Sequence, residues 1–219
     1  SIGSSPIVSN YTFMTKRKNS KFSVCKKVPL NFKNIWGISP KKTFRSFKVD
    51  KKNKKKFSLF NKLIKTKQCF KNFYTNISEQ KFKNEFIRCK KASTKILDKF
   101  VSYSERRLDI VLFRSGFVVS LHEARQLVSH GHVFVNFKKV YLSGQKIYCG
   151  DSIKISKNNL ILKKKIYNNV KNFLKIQPVS SHLEVNYKLL TIVFLWSPGF
   201  KSSFFPVYSN YKVISRFYK

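Results

Sequence analysis

Hydrophobic positions along this chain change their period three times, and each change predicts a different kind of element. From Phe57 to Tyr74, the residues Phe60, Leu63, Ile64, Phe70, Phe73 and Tyr74 recur at steps of three and four between lysines, as the buried stripe of an amphipathic helix does. A second stripe, Phe82, Phe86, Cys89, Ile96, Leu97 and Phe100, predicts another helix running from Glu79 to Val101. Leu108, Val111 and Leu112 mark the inward side of a shorter helix, from which Arg107 and Arg114 can reach outward. Ser120-Leu-His-Glu123 is a capping box, in which the Ser120 hydroxyl takes the Glu123 amide and the Glu123 carboxylate returns to the Ser120 amide. Behind that cap Leu121, Ala124, Leu127 and Val128 fall on one side of a helix, and His122, Arg125, Gln126 and Ser129 fall on the other. Gly131 stops this helix as a C-terminal glycine would.

The period then shortens to two. Val133 to Val135 reads as a strand leading through Asn136-Phe-Lys-Lys139 to a second apolar run, Val140 to Leu142. Cys149-Gly150-Asp151-Ser152 is a turn, and Ile153-Lys-Ile155 alternates as a closing strand. Helical character returns between Lys157 and Lys175, and strand alternation returns at Leu183, Val185 and Tyr187 within His182 to Trp196. The fold class is therefore α+β, in four parts: a basic extended arm over 1–56, a helical domain over 57–104, a small module of two helices and short strands over 105–156, and a C-terminal segment over 157–219 with strand character. The last is expected to pack back on the helical domain. The arm holds three of the six prolines and no sustained period, so it is expected to order only on a partner.

Charge then names the class of partner. Lys and Arg total 46 against nine acidic residues, a net charge of +37, and such self-repulsion calls for a polyanion. Only eight of the 46 are Arg, and Lys, Asn, Ile, Tyr and Phe are abundant, which is the residue usage of AT-rich coding. Part of the Lys excess then reflects base composition, and an organelle genome fits it. A membrane-surface role would gather the basic residues in one cluster or one helix, whereas here they are spread over the whole chain. The longest apolar run, Leu189 to Trp196 with Thr191 inside it, is far shorter than the ~20 residues a bilayer span needs. Ser1 to Val8 lacks the charged-then-apolar pattern of a secretory leader.

The four cysteines, Cys25, Cys69, Cys89 and Cys149, have no C-x-x-C pairing, so reduced structural thiols are expected rather than a zinc knuckle or a disulfide framework. His130-Gly-His132 brings two imidazoles together without a Cys or carboxylate cluster, which suits a helix end or a phosphate contact better than a metal. No cofactor is expected. The nine carboxylates and the absence of a Cys-His or Ser-His-Asp grouping weigh against catalysis.

Arg107-Leu108-Asp109, Gly116-Phe117, the run Ala124 to His130, Val135-Asn136 and Gly150-Asp151 resemble, in order and spacing, the signature blocks of the S4-type RNA-binding domain. The flanks narrow the resemblance. His182-Leu-Glu-Val-Asn186 followed by Val193-Phe194, Pro198 and the end in Tyr218-Lys219 resembles the C-terminal segment of the small-subunit ribosomal protein S4 family, and Phe70 to Tyr74 resembles its aromatic-basic helix. The resemblance covers roughly Phe57 to Lys219. It implies an assembly protein of the small ribosomal subunit, bound at a multi-helix junction in the 5′ domain of the small-subunit ribosomal RNA, near the messenger entry channel and beside other small-subunit proteins. The residues it implies for RNA binding are Arg107, Ser120, Arg125, Gln126, Ser129, His130, Asn136, Lys138 and Lys139, and the helical wheel adds His122. The helical wheel independently puts His122, Arg125, Gln126 and Ser129 on one polar face. Metal-binding cysteines at the start of some bacterial members have no counterpart here, so a zinc role is not carried over.

One departure bears on the hairpin. Family members usually have Gly after the Val-Asn pair, and here Phe137 stands in that place. If the turn needs a positive φ there, Phe137 is strained or the turn has changed shape. Two other function classes remain beside the ribosomal one. S4-type domains also occur in pseudouridine synthases, but only 64 residues follow Ile155, too few for a synthase catalytic domain. A free-standing RNA-binding or ribosome-associated factor is the other. Residue usage and the unmatched start point to a mitochondrial ribosome, with a plastid as the alternative.

Overall fold

The computed structural model describes residues 58–74, 77–92, 95–156, 160–174 and 179–203. The arm expected over 1–56 and the aromatic residues Phe204, Phe205, Tyr208 and Tyr211 lie outside the described residues. Three helices come first: α1 (Leu59–Phe73), α2 (Glu79–Ala92) and α3 (Ile96–Glu105). Their apolar stripes meet in one cluster, where Phe70, Phe73, Tyr74, Phe82, Phe86 and Phe100 are all buried. Phe60, expected inward, is 60 % exposed.

The single helix expected from Glu79 to Val101 is two, and the reason is geometric. In one straight helix Phe82 and Phe100 would stand about 27 Å apart, at ~1.5 Å per residue. Their rings are 5.1 Å apart, edge to face, and Phe86 lies 5.5 Å from Phe100. The chain must therefore fold back between α2 and α3, and the hydrophobic stripe continues in phase across the break because both helices turn it toward the same core.

The module follows: α4 (Leu108–Arg114), α5 (Leu121–Ser129), β1 (Val133–Val135), β2 (Lys138–Val140) and β3 (Ser152–Ile155). Ser120, extended at φ −143° and ψ 153°, caps α5 by accepting the Glu123 amide. The return arm of the box is displaced by one residue, for Glu123 Oε2 accepts from the Val119 amide at 2.9 Å rather than from Ser120. At the other end the Gly131 amide donates to Val128 O and the His132 amide to Leu127 O, with Gly131 at φ +72°. That pairing is the Schellman arrangement, and it releases the chain directly into β1.

After β3 come α6 (Leu160–Leu174), β4 (Leu183–Asn186) and β5 (Thr191–Phe194). All five strands form one antiparallel sheet in the order β2-β1-β3-β5-β4. The C-terminal strands thus extend the module's own sheet, and their Leu183, Ile192 and Phe194 share a core with Leu108, Val128, Val133 and Ile153. Phe200 reaches the other cluster, its amide donating to Asp98 Oδ1 at 3.0 Å.

Arg114, expected to reach outward, is instead 2 % exposed and lies 5.5 Å from the centre of the Phe73 ring. Its guanidinium donates to both oxygens of the fully buried Glu105, at 2.6 and 3.0 Å. The Tyr74 hydroxyl donates to the same carboxylate at 2.8 Å. A buried arginine must find a carboxylate or stay unfolded, so Glu105 decides the direction of this side chain.

Candidate nucleic-acid interface

The candidate interface is organised by an acid. Asp109 lies in the first turn of α4 with no exposed surface, and it accepts from Arg107 Nε and Nη2 at 3.0 and 2.7 Å. Arg125, from α5, donates its Nε to the same carboxylate at 3.2 Å. One buried charge therefore gathers two guanidiniums, one from the start of α4 and one from α5. Burial lowers the Arg125 pKa, Asp109 opposes that shift, and Arg107 adds to it. His122 is exposed at the surface, yet partial burial of its ring, together with the nearby Arg125, lowers the imidazole pKa and favours the neutral form.

Further along α5, Gln126, Ser129 and His130 are exposed on the side away from the core. The Ser129 hydroxyl donates to Gln126 O at 3.0 Å, which leaves its oxygen as an acceptor. A cleft of about 150 Å³ opens between this helix and α6, bordered by Gln126, His130, His132 and Leu162. The hairpin of β1 and β2 lies at the C-terminal end of α5, where the Lys139 side chain packs over Gly131. Lys138 and Lys139 are both exposed, and Lys139 Nζ stands 5.3 Å from the centre of the Tyr141 ring.

Two of the expected contact residues have their side chains engaged within the fold. Ser120 is 8 % exposed, and its oxygen serves the α5 cap. Asn136 donates Nδ2 to Asp151 Oδ1 at 2.8 Å, while its Oδ1 accepts the Ser152 amide at 2.9 Å. Both residues hold surfaces in place more than they offer groups. The turn that holds Asn136 is tight: Val135 pairs with Lys138, leaving the two-residue loop Asn136-Phe137, with φ at +47° and +66°. Positive φ at both central positions is the geometry of a type I′ hairpin turn, and Phe137 carries the strain of it.

Sequence reasoning missed a basic row beside Arg107. Arg106 donates Nε to Ile147 O at 2.9 Å and stacks 4.4 Å over the Tyr148 ring. Lys146 pairs in an antiparallel bridge with Arg107, donates to Tyr103 O at 2.9 Å and sits 3.4 Å over the Tyr103 ring. Burial pushes its pKa down to about 8, with Glu85 opposing. These residues lie in irregular segments, where no period separates an ordered lysine from a solvated one. Among the described residues no group of three or more His, Cys, Asp or Glu is placed to hold a metal ion, and no helix is long and apolar enough to cross a membrane.

An S4 domain family model matches residues 106–147, which run from Arg106 through α4, α5 and the hairpin. Small ribosomal subunit protein uS4m of Reclinomonas americana is 35 % identical over 161 residues, covering 71 % of this chain and 64 % of that relative. Small ribosomal subunit protein uS4 of Ruegeria sp. (strain TM1040) is 29 % identical over 212 residues, 94 % of this chain and 98 % of that relative. The chain is similar to uS4 proteins over most of its length. A uS4 protein of Cereibacter sphaeroides (strain ATCC 17029 / ATH 2.4.9) matches over the same shares, 94 % and 98 %, at 29 % identity. The similarity to bacterial uS4 proteins thus takes in parts of the chain on both sides of the S4 domain. Against the uS4m relative, the matched part spans just under two thirds of that protein's length.

Proposed function

We propose that this chain is a uS4 protein and a structural constituent of the small ribosomal subunit, and that it binds small-subunit ribosomal RNA through the face built by α4, α5 and the β1–β2 hairpin. The observation that carries the reading is the near end-to-end match to proteins named small ribosomal subunit protein uS4. Its role is that of a component, not of an enzyme. Arg107 and Arg125, held by Asp109, present planar forks to phosphate, and Lys138 and Lys139 present point charges. His122, Gln126, Ser129 and His130 complete hydrogen bonds to sugars and phosphates along α5. Side chains cannot read the deep major groove of structured RNA, so recognition rests on phosphates, 2′-hydroxyls and the shape of a helix junction. Ser120 and Asn136 act by positioning, one through the cap and one through the turn.

The finer assignment is a mitochondrial small subunit, supported by the 35 % identity to a uS4m protein, with a plastid ribosome as the alternative. There the chain would meet the 5′ domain junction, neighbouring ribosomal proteins and the messenger entry channel. Sedimentation of an organelle lysate through a high-salt gradient tests the core of this. Stoichiometric migration with the small subunit is expected; release to the top of the gradient would instead indicate a transient ribosome-associated factor.

A further inference from the structure

Phe137 is the most exposed large hydrophobic side chain among the described residues, at 89 %. It sits at φ +66°, a conformation that glycine adopts freely and a bulky side chain does not. The ring gains almost nothing from the fold, since so little of it is covered, while its backbone strains the turn. The turn is nevertheless rigid. Asn136 ties it to Asp151 and Ser152 through the side-chain bonds already described, and the Asn136 amide donates to Ser152 O at 2.9 Å. An aromatic ring is therefore held out from a locked support, and little conformational freedom remains to be lost on contact.

Its surroundings are basic. Lys138 and Lys139 follow it directly, both exposed. On the outward side of the sheet Phe134 stands cross-strand from Lys139 on one side and from Lys154 on the other. Tyr141, 60 % exposed, lies under the Lys139 ammonium. The centre of a protein-docking patch is depleted of lysine, whereas aromatic rings set among cations suit the stacked bases and phosphates of a single strand.

We propose that the Phe137 ring is a stacking platform for an unpaired base of the small-subunit RNA, with Lys138 and Lys139 on the adjoining phosphates. This deepens the RNA-binding reading above and rests on it. Stacking needs only the flat face that every base has, so the platform selects an unpaired nucleotide at the right place in the junction rather than a particular base.

The test compares the full chain with Phe137→Gly and Phe137→Trp for binding to an in vitro transcript of the small-subunit RNA from the same source. Melting temperature and chemical probing of unpaired bases are read alongside. Phe137→Gly should melt higher, because the turn relaxes, yet bind about tenfold more weakly and expose one base that the wild type protects. Phe137→Trp should keep both affinity and protection. If Phe137→Gly binds and protects as the wild type does, the platform is refuted while the RNA-binding reading stands. Failure of the wild type to bind the transcript removes that reading and the platform with it. A photoreactive phenylalanine at position 137 that crosslinks to a protein rather than to RNA in assembled subunits would also overturn the proposal.

Discussion

His182 shows how one side chain sets a pH response. Its ring is 1 % exposed, lies 5.8 Å from Phe194 and 6.0 Å from Trp196, and neither nitrogen has a hydrogen-bond partner among the described residues. Burial pushes its pKa down from 6.5 to about 4; Glu105 opposes the shift and Arg114 reinforces it. Between those two values the unfolded chain takes up a proton that the folded chain refuses, so stability is full above about pH 6.5 and falls as pH drops toward about 4. The gap corresponds to a loss of about 3 kcal/mol. Urea unfolding at steps between pH 7 and pH 4 should show that decline, and His182→Phe should flatten it; parallel curves for the two proteins would rule His182 out as the source. Asp109 makes a second point at this scale. Asp109→Asn keeps the shape but leaves Arg107 and Arg125 facing each other without their shared acid, which should cost about 3 kcal/mol. Arg125→Ala leaves Asp109 its Arg107 partner and should cost about 1 kcal/mol or less. Denaturant titrations giving the reverse order would show that Asp109 does not organise the face.

Among the elements, α6 depends on a glycine outside itself. Gly116, at φ +80°, lies so close to α6 that an added Cβ would overlap the Phe173 ring. The Asn169 side chain secures the same contact by donating to Phe117 O at 3.2 Å. Gly116→Ala therefore combines backbone strain with a clash and should destabilise by about 2 kcal/mol, with hydrogen exchange accelerated first in α6. Uniform acceleration across the sheet would mean that α6 docking is not what the glycine serves. Element type was largely legible from period: the α5 stripe and the alternation at Leu183 gave a helix and a strand where the structure has them. The break between α2 and α3 was not legible, because the stripe from Phe82 to Phe100 stays in phase while the chain reverses. Arg114 was misread for a related reason. Local pattern assigns an arginine to solvent unless its acid is visible, and Glu105 lies nine residues away on another helix. The α5 face of the candidate site was readable because one helix carries it. The Arg107–Asp109–Arg125 group was not, since α4 and α5 must first pack to bring the three together.

For the whole molecule, the net charge of +37 makes salt act in opposite directions on folding and on RNA binding. The free chain repels itself, and the repulsion is screened over ~10 Å at 0.1 M salt, so adding salt should raise its melting temperature. The complex draws its affinity from released counterions, so the same salt should weaken it, by ~0.7–0.9 in log affinity per log salt for each phosphate neutralised. Single substitutions divide along the same line. Lys138→Ala or Lys139→Ala should each lower the salt slope by about 1 and leave the melting temperature nearly unchanged, because both side chains are exposed. Arg114→Met should do the opposite, lowering the melting temperature through the unpaired Glu105 while leaving the slope intact, because that cation is spent inside the fold. Melting curves and binding isotherms across 0.05–0.5 M salt, run on the same preparations, would check both halves at once. A slope that fell equally for all three substitutions would mean that affinity follows total charge alone, and that the face built around Asp109 and the hairpin holds no privileged place on the RNA.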